Sequence, residues 1–102
     1  MANMPRIVVS PEAIQAFCRR NHIRRLAFFG SVLRDDFGPD SDVDVLYEFE
    51  EGHVPGLDFV RIVDELSALL GGRKVDMVSY QYINDHLRDH ILSEAQIQYA
   101  AA

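Results

Sequence analysis

The chain has 102 residues and a formal net charge of −6, which is room for one small domain, residues 1–102, with one core. Its 48% hydrophobic and 25% charged residues are a globular balance, not a disordered one. No apolar run approaches the ~20 residues that cross a bilayer, so a membrane protein is excluded. Residues 1–9 form a short lead, and Met1 to Arg6 contain no apolar signal region. Cys18, the single cysteine, has no internal disulfide partner, which fits a reducing, cytoplasmic setting.

The charge is uneven. Residues 1–29 carry five arginines and one glutamate; residues 30–51 carry Arg34 against eight acids. That second stretch alone has a net charge of −7, more than the whole chain. Direct nucleic-acid binding is not expected of such a domain, because phosphate contacts need Lys and Arg. Arg19, Arg20, Arg24 and Arg25 form a basic cluster near the start, expected as a solvated face, with an acidic partner or RNA as the alternative.

Ser10-Pro11-Glu12 is a helix start, with a capping serine, a proline at the first helical position and an acid at the positive end of the dipole. Ile14, Phe17 and Cys18 then give one apolar face up to about Arg20. Arg24 to Phe29 ends in an apolar run of strand length, closed by Gly30. Val43 to Phe49 alternates: Val43, Val45, Tyr47 and Phe49 share one face, and Asp42, Asp44, Leu46 and Glu48 share the other. Leu57 to Leu70 has the clearest helical period, with Phe59, Ile62, Val63, Leu66, Leu69 and Leu70 on one face, and Gly71-Gly72 stops it. Lys74 to Ser79 is a short strand. Ile83, Leu87 and Ile91 at four-residue spacing predict a last helix to about Ser93, and Ala95 to Tyr99 a final edge strand. This order calls for an α/β (α+β) architecture, a small mixed sheet with helices packed on it.

Three pieces carry chemistry. Gly30-Ser31 follows a strand directly; glycine permits close backbone approach, and free N–H groups of a helical turn there would meet phosphate. A plain strand-ending turn is the competing account. Asp42 and Asp44, two apart on one strand face, stand about 6.6 Å apart along the chain and repel unless a cation lies between them. Mg²⁺, with its hard oxygen ligands, suits that position; solvated acids at a strand entry are the even alternative. Asp76 lies between Val75 and Met77, where burial would demand a charge partner or a metal. If its strand neighbours that of Asp42 and Asp44, three carboxylates converge near Gly30-Ser31. That geometry suits two-metal phosphoryl transfer, with ions ~3.5–4 Å apart. His86 and His90 have a zinc-compatible helical spacing but no third ligand nearby in sequence. His22 and His53 are expected in a turn and a loop.

The run Gly30-Ser31, ten residues, then Asp42-Val43-Asp44 resembles the signature of the polymerase-β-like nucleotidyltransferases. The longer string from Gly30 to Asp44, R-K-V-D-M-V at residues 73–78 and L-R-D-H-I-L-S-E-A at residues 87–95 are similar to the small MNT (minimal nucleotidyltransferase) branch. The resemblance implies the polymerase-β-like core fold, with Gly30 and Ser31 holding the nucleotide triphosphate and Arg34 meeting phosphate. It implies Asp42 and Asp44 as ligands of Mg²⁺, in a two-ion site, and Asp76 as both metal ligand and base. Asp35, where relatives often have glycine, departs from the pattern and bears on the local turn. The branch is typically paired with HEPN-domain toxins, so the implied function is antitoxin: transfer of AMP from ATP to a tyrosine hydroxyl of a HEPN partner. The core fills the 102 residues, so the acceptor is expected from another protein or a second subunit of the same chain. Two alternatives stay open. One is a non-catalytic module that neutralises its partner by binding; the other is a small-molecule nucleotidyltransferase of the aminoglycoside-modifying kind.

Overall fold

The computed structural model describes residues 7, 9–34, 37, 38 and 40–101; the expectations for Met1–Arg6, Asp35 and Asp36 fall outside the described residues. Helix α1 spans Pro11–Arg20, capped by Ser10, whose side chain accepts from the Ala13 N–H at 3.2 Å. Strand β1 (Ile23–Phe29) leads into a 3₁₀ turn, Gly30–Leu33. Strand β2 (Val43–Phe49), helix α2 (Asp58–Leu69) and strand β3 (Val75–Ser79) form a β-α-β unit. A second 3₁₀ turn (Tyr80–Tyr82), helix α3 (Asp85–Glu94) and strand β4 (Gln96–Ala100) complete the fold. Among the described residues no helix is long and apolar enough to cross a membrane.

The four strands lie in the order β3-β2-β1-β4. β1 pairs antiparallel with β2 and with β4, while β2 and β3 run parallel, a pairing that requires a crossover such as α2. Strand alternation divides the sheet into two apolar faces. Leu26, Phe28, Val43, Val45 and Val75 pack with Ile14 and Phe17 of α1 and with Ile62 and Leu66 of α2. Ala27 and Leu46 look the other way and pack with Ile83, Phe29, Val78 and residues Ile91 and Leu92 of α3. α3 is thus the only described α-helix contributing to that second cluster.

Two expectations change. Ile83 does not begin the last helix: it is buried ahead of α3, which starts at Asp85 after Asn84 accepts from the His86 N–H at 2.8 Å. Leu87, expected on the same apolar face, is 53% exposed. α3 packs through its C-terminal half, so the four-residue apolar spacing does not mark a continuous buried stripe. The expected edge strand is present as β4 and forms one border of the sheet.

The basic cluster is largely engaged within the molecule. Arg20 pairs with Glu65 of α2, Arg24 and Arg25 face Glu48 at 3.3 and 3.7 Å, and Arg25 lies 4.6 Å over the Tyr80 ring. Buried Asn21 links the same helices: its amide donates to the Phe17 carbonyl at 2.9 Å and its oxygen accepts from Arg61 at 2.9 Å.

Candidate functional site

The three acids singled out in the sequence meet at one end of the sheet. β2 and β3 pair in register, with Asp44 opposite Asp76. In-register partners on neighbouring strands project to the same face, which is the one carrying Leu46 and Val78 under α3. α3 covers those apolar neighbours and leaves the acids at the open end: Asp44 is half-buried, and Asp42 and Asp76 are exposed. Asp42 precedes β2 by one residue and keeps the parity of Asp44.

The exposure of Asp76 corrects an expectation. Its apolar neighbours predicted a buried acid, but β3 borders the sheet and Asp76 looks toward its uncovered side. Solvent reaches that carboxylate.

On the other side of β2, Phe29 is opposite Asp44, so the turn at Gly30 starts beside that carboxylate. Gly30 has φ +72, a left-handed value that favours glycine. A Cβ at this position would stand 2.4 Å from Asp44 Oδ2 and 3.2 Å from its Cγ. The glycine therefore serves both the turn and the close approach of backbone to carboxylate. Ser31 fastens the turn: its hydroxyl donates to the Asp42 carbonyl at 3.1 Å, and its backbone N–H lies near enough to the Asp44 carboxylate to favour the charged form. The resemblance implies that Ser31 holds triphosphate; here its hydroxyl bridges the turn to the chain entering β2. Arg34 ends the turn and reaches Glu94 of α3 at 3.5 Å, and its charge is also felt at Asp44.

Burial pushes the Asp44 carboxyl above its ordinary value, and the charges of Asp76 and Asp42 push it further. The Ser31 N–H and Arg34 oppose this without cancelling it. A partly desolvated carboxylate between two others, with only oxygen donors on offer, is a site that a hard divalent cation would relieve. By donor chemistry Asp42, Asp44 and Asp76 fit Mg²⁺, although the oxygens of these three side chains do not all stand within 4.8 Å of one another.

Arg73 and Lys74, which open the string preceding Asp76, have no role assigned from sequence. They line a groove of about 440 Å³ with Asp40, Ser41, Asp42 and Gly72. Arg73 donates to the Gly38 carbonyl at 3.0 Å and stacks 4.5 Å from the Phe37 ring, which anchors part of the loop before Asp42. The available signal was their position immediately before the strand that bears Asp76. A larger groove, about 520 Å³, opens at the opposite end of β2 between Phe49, Phe59 and Tyr82 and contains none of the three acids.

Comparison with known proteins adds sequence and fold relationships. A family model described as nucleotidyltransferase domain matches residues 10–98. A Methanocaldococcus jannaschii protein provisionally named a protein adenylyltransferase is 41% identical over 74% of this chain and 80% of its own. The protein adenylyltransferase MntA of Thermococcus cleftensis is 38% identical over 71% of each chain. A solved structure provisionally described as a minimal nucleotidyltransferase superposes with a TM-score of 0.70 at 41% identity, covering 84% of this chain and 86% of that one. A toxin–antitoxin structure solved with AMP-PNP shares the fold, with a TM-score of 0.69 at 16% identity over 91% of this chain and 75% of that one.

Proposed function

The chain belongs to the nucleotidyltransferase-domain family, and from that premise we propose that it is an antitoxin that transfers AMP from ATP to a tyrosine hydroxyl of a HEPN-domain toxin. The proposal treats residues 1–102 as one minimal catalytic domain acting in the cytoplasm. The observation that carries it is the pairing of Asp44 with Asp76 beside the Gly30 turn. It is supported by relatives at 41% and 38% identity that are named protein adenylyltransferases.

Each residue has a task in this proposal. Gly30, where a Cβ would collide with the Asp44 carboxylate, lets the turn backbone lie against that acid, at the place where a triphosphate would approach. Ser31 holds the turn against β2 through its hydroxyl's hydrogen bond to the Asp42 carbonyl, and its N–H favours the charged Asp44. Arg34 lies close enough to influence Asp44 and supplies positive charge for phosphate. Asp42, Asp44 and Asp76 would hold Mg²⁺, in a two-ion site; bound Mg²⁺ supplies charge neutralisation at the phosphates and orientation of the attacking and leaving oxygens. In the transfer, the acceptor oxygen forms a bond to the α-phosphorus and the bond to the pyrophosphate oxygen breaks. Asp76 takes the hydroxyl proton, and its exposure provides a route for that proton to water. The products are the AMP-modified hydroxyl, pyrophosphate and a proton.

The test is transfer of label from α-³²P-ATP with Mg²⁺ and a purified HEPN-domain protein carrying an Arg-x₄-His motif. Label on a tyrosine of that protein is the expected result. Label only on an added aminoglycoside would move the assignment to small-molecule transfer. A tight complex without label on any acceptor would overturn the catalytic proposal in favour of neutralisation by binding.

A further inference from the structure

Two histidines and a glutamate outside the carboxylate site come together at the far end of β2. His22 lies in the turn before β1, and Glu50 and His53 lie just after β2. The backbone joins these segments: the Glu50 N–H donates to the His22 carbonyl at 2.7 Å, and the His53 N–H donates to the Glu50 carbonyl at 3.0 Å. The two imidazole rings stack with centroids 3.9 Å apart and planes 9° from parallel. One ligand atom from each of the three side chains lies within 4.8 Å of the other two. Among the described residues this is the one such group of three or more metal-ligating side chains.

We propose that His22, Glu50 and His53 form a binding site for a divalent transition-metal ion of the Zn²⁺ class, separate from the carboxylate row. Two imidazole nitrogens and one carboxylate suit Zn²⁺, whereas Mg²⁺ prefers an all-oxygen set. His22 Nδ1 and Glu50 Oε1 are 3.8 Å apart, within reach of an ion pair if His22 is protonated but too far for a hydrogen bond, and His53 is the third member that such a pair does not use. Ligand atoms around a tetrahedral ion at ~2.0–2.1 Å stand about 3.3 Å from one another. The present spread closes by rotation of side chains that have room to move, His22 being 51% and Glu50 44% exposed. Binding would unstack the rings and turn their lone pairs toward a common point. Three protein ligands leave a fourth position for water.

The ion would staple the turn between α1 and β1 to the loop between β2 and α2. Glu50 is six residues beyond Asp44, about 20 Å along an extended strand. The ion is therefore a brace remote from the reacting phosphate, and its presence is read by binding and melting rather than by nucleotidyl transfer.

The experiment is isothermal titration calorimetry of the chelator-treated full chain with ZnCl₂, in millimolar Mg²⁺ to occupy oxygen-only sites. One Zn²⁺ per chain is expected, with a higher melting temperature in its presence. His53→Ala and His22→Asn should each weaken binding roughly tenfold or more, as even losses behind a metal ligand do. Asparagine is chosen because His22 has φ +58 and asparagine tolerates that conformation. Melting of both variants in chelator checks the fold, and His53, exposed in a loop, decides the outcome if His22→Asn is destabilised. A His86→Ala/His90→Ala double variant should bind as the parent does. No Zn²⁺ binding by the parent, or unchanged affinity in His53→Ala, would overturn the proposal.

Discussion

Asp44 sits half out of water between Asp42 and Asp76, and its carboxyl is pushed up first by burial and then by those two charges. Between the unfolded and the raised folded pKa, the native state binds more protons than the unfolded state, so this group's contribution to stability falls as pH rises through the folded pKa. Asp44→Asn removes that penalty. In chelator, the variant should melt at or above the parent temperature, with the difference growing as pH rises past the usual carboxylate range; scanning calorimetry against pH checks it. Transfer should collapse in the same variant. Loss of several kcal/mol of charge stabilisation in the transition state corresponds to a rate loss of roughly 10²-fold or more. A melting temperature well below the parent's would contradict the repulsion described at Asp44. Asp42 and Asp44 were legible because two-residue spacing alone places them on one strand face. The exposure of Asp76 was not, because a strand's position at the border of a sheet depends on partners distant in the chain.

At the scale of elements, α2 holds the β-α-β unit together. Leu66 is fully buried against the sheet within the larger apolar cluster. Leu66→Ala should cost about 2–5 kcal/mol, the usual range for a buried leucine truncated in a packed core, measured by urea unfolding. Because α2 is the crossover that makes the β2–β3 pairing parallel, that loss should also lower the urea concentration at which transfer fails. The elements whose apolar period continued through their full length were readable: α1, α2 and β2 are close to the expected spans. α3 was misjudged because one period can be built from residues in different structures. Ile83 belongs to the connection and Ile91 to the helix, yet both contact the second apolar cluster. The triad of His22, Glu50 and His53 was invisible for a related reason: its first member is brought to the others by the β1–β2 pairing.

Across the whole molecule, net charge and site location pull in opposite directions. The chain carries −6, concentrated in the segment that includes Asp42 and Asp44, and a triphosphate is itself strongly anionic. Electrostatics therefore predicts that nucleotide binding depends on a divalent ion. Calorimetry with AMP-PNP should show binding in Mg²⁺ and at least a tenfold loss in chelator. Equal affinity in both conditions would assign recognition to groups such as Arg34, Arg73 and Lys74 instead. The basic cluster near the start of the chain offers less help than its charge count promised, because Arg20, Arg24 and Arg25 already face glutamates within the fold.

The parallel register of β2 and β3 has a consequence for how the molecule comes into being. Asp44 and Asp76 are 32 positions apart in the chain, and no local segment can place them side by side. Their encounter requires α2 to form and dock, a long-range closure that carries an entropic cost and slows folding. An unfolded chain therefore has no three-carboxylate centre to offer. Any ligand that engages all three acids selects the native state over the unfolded one, drawing the folding equilibrium toward native by mass action. In the proposed function these acids thus also act as a checkpoint on completed folding: a chain that has not closed its sheet would lack the means to react.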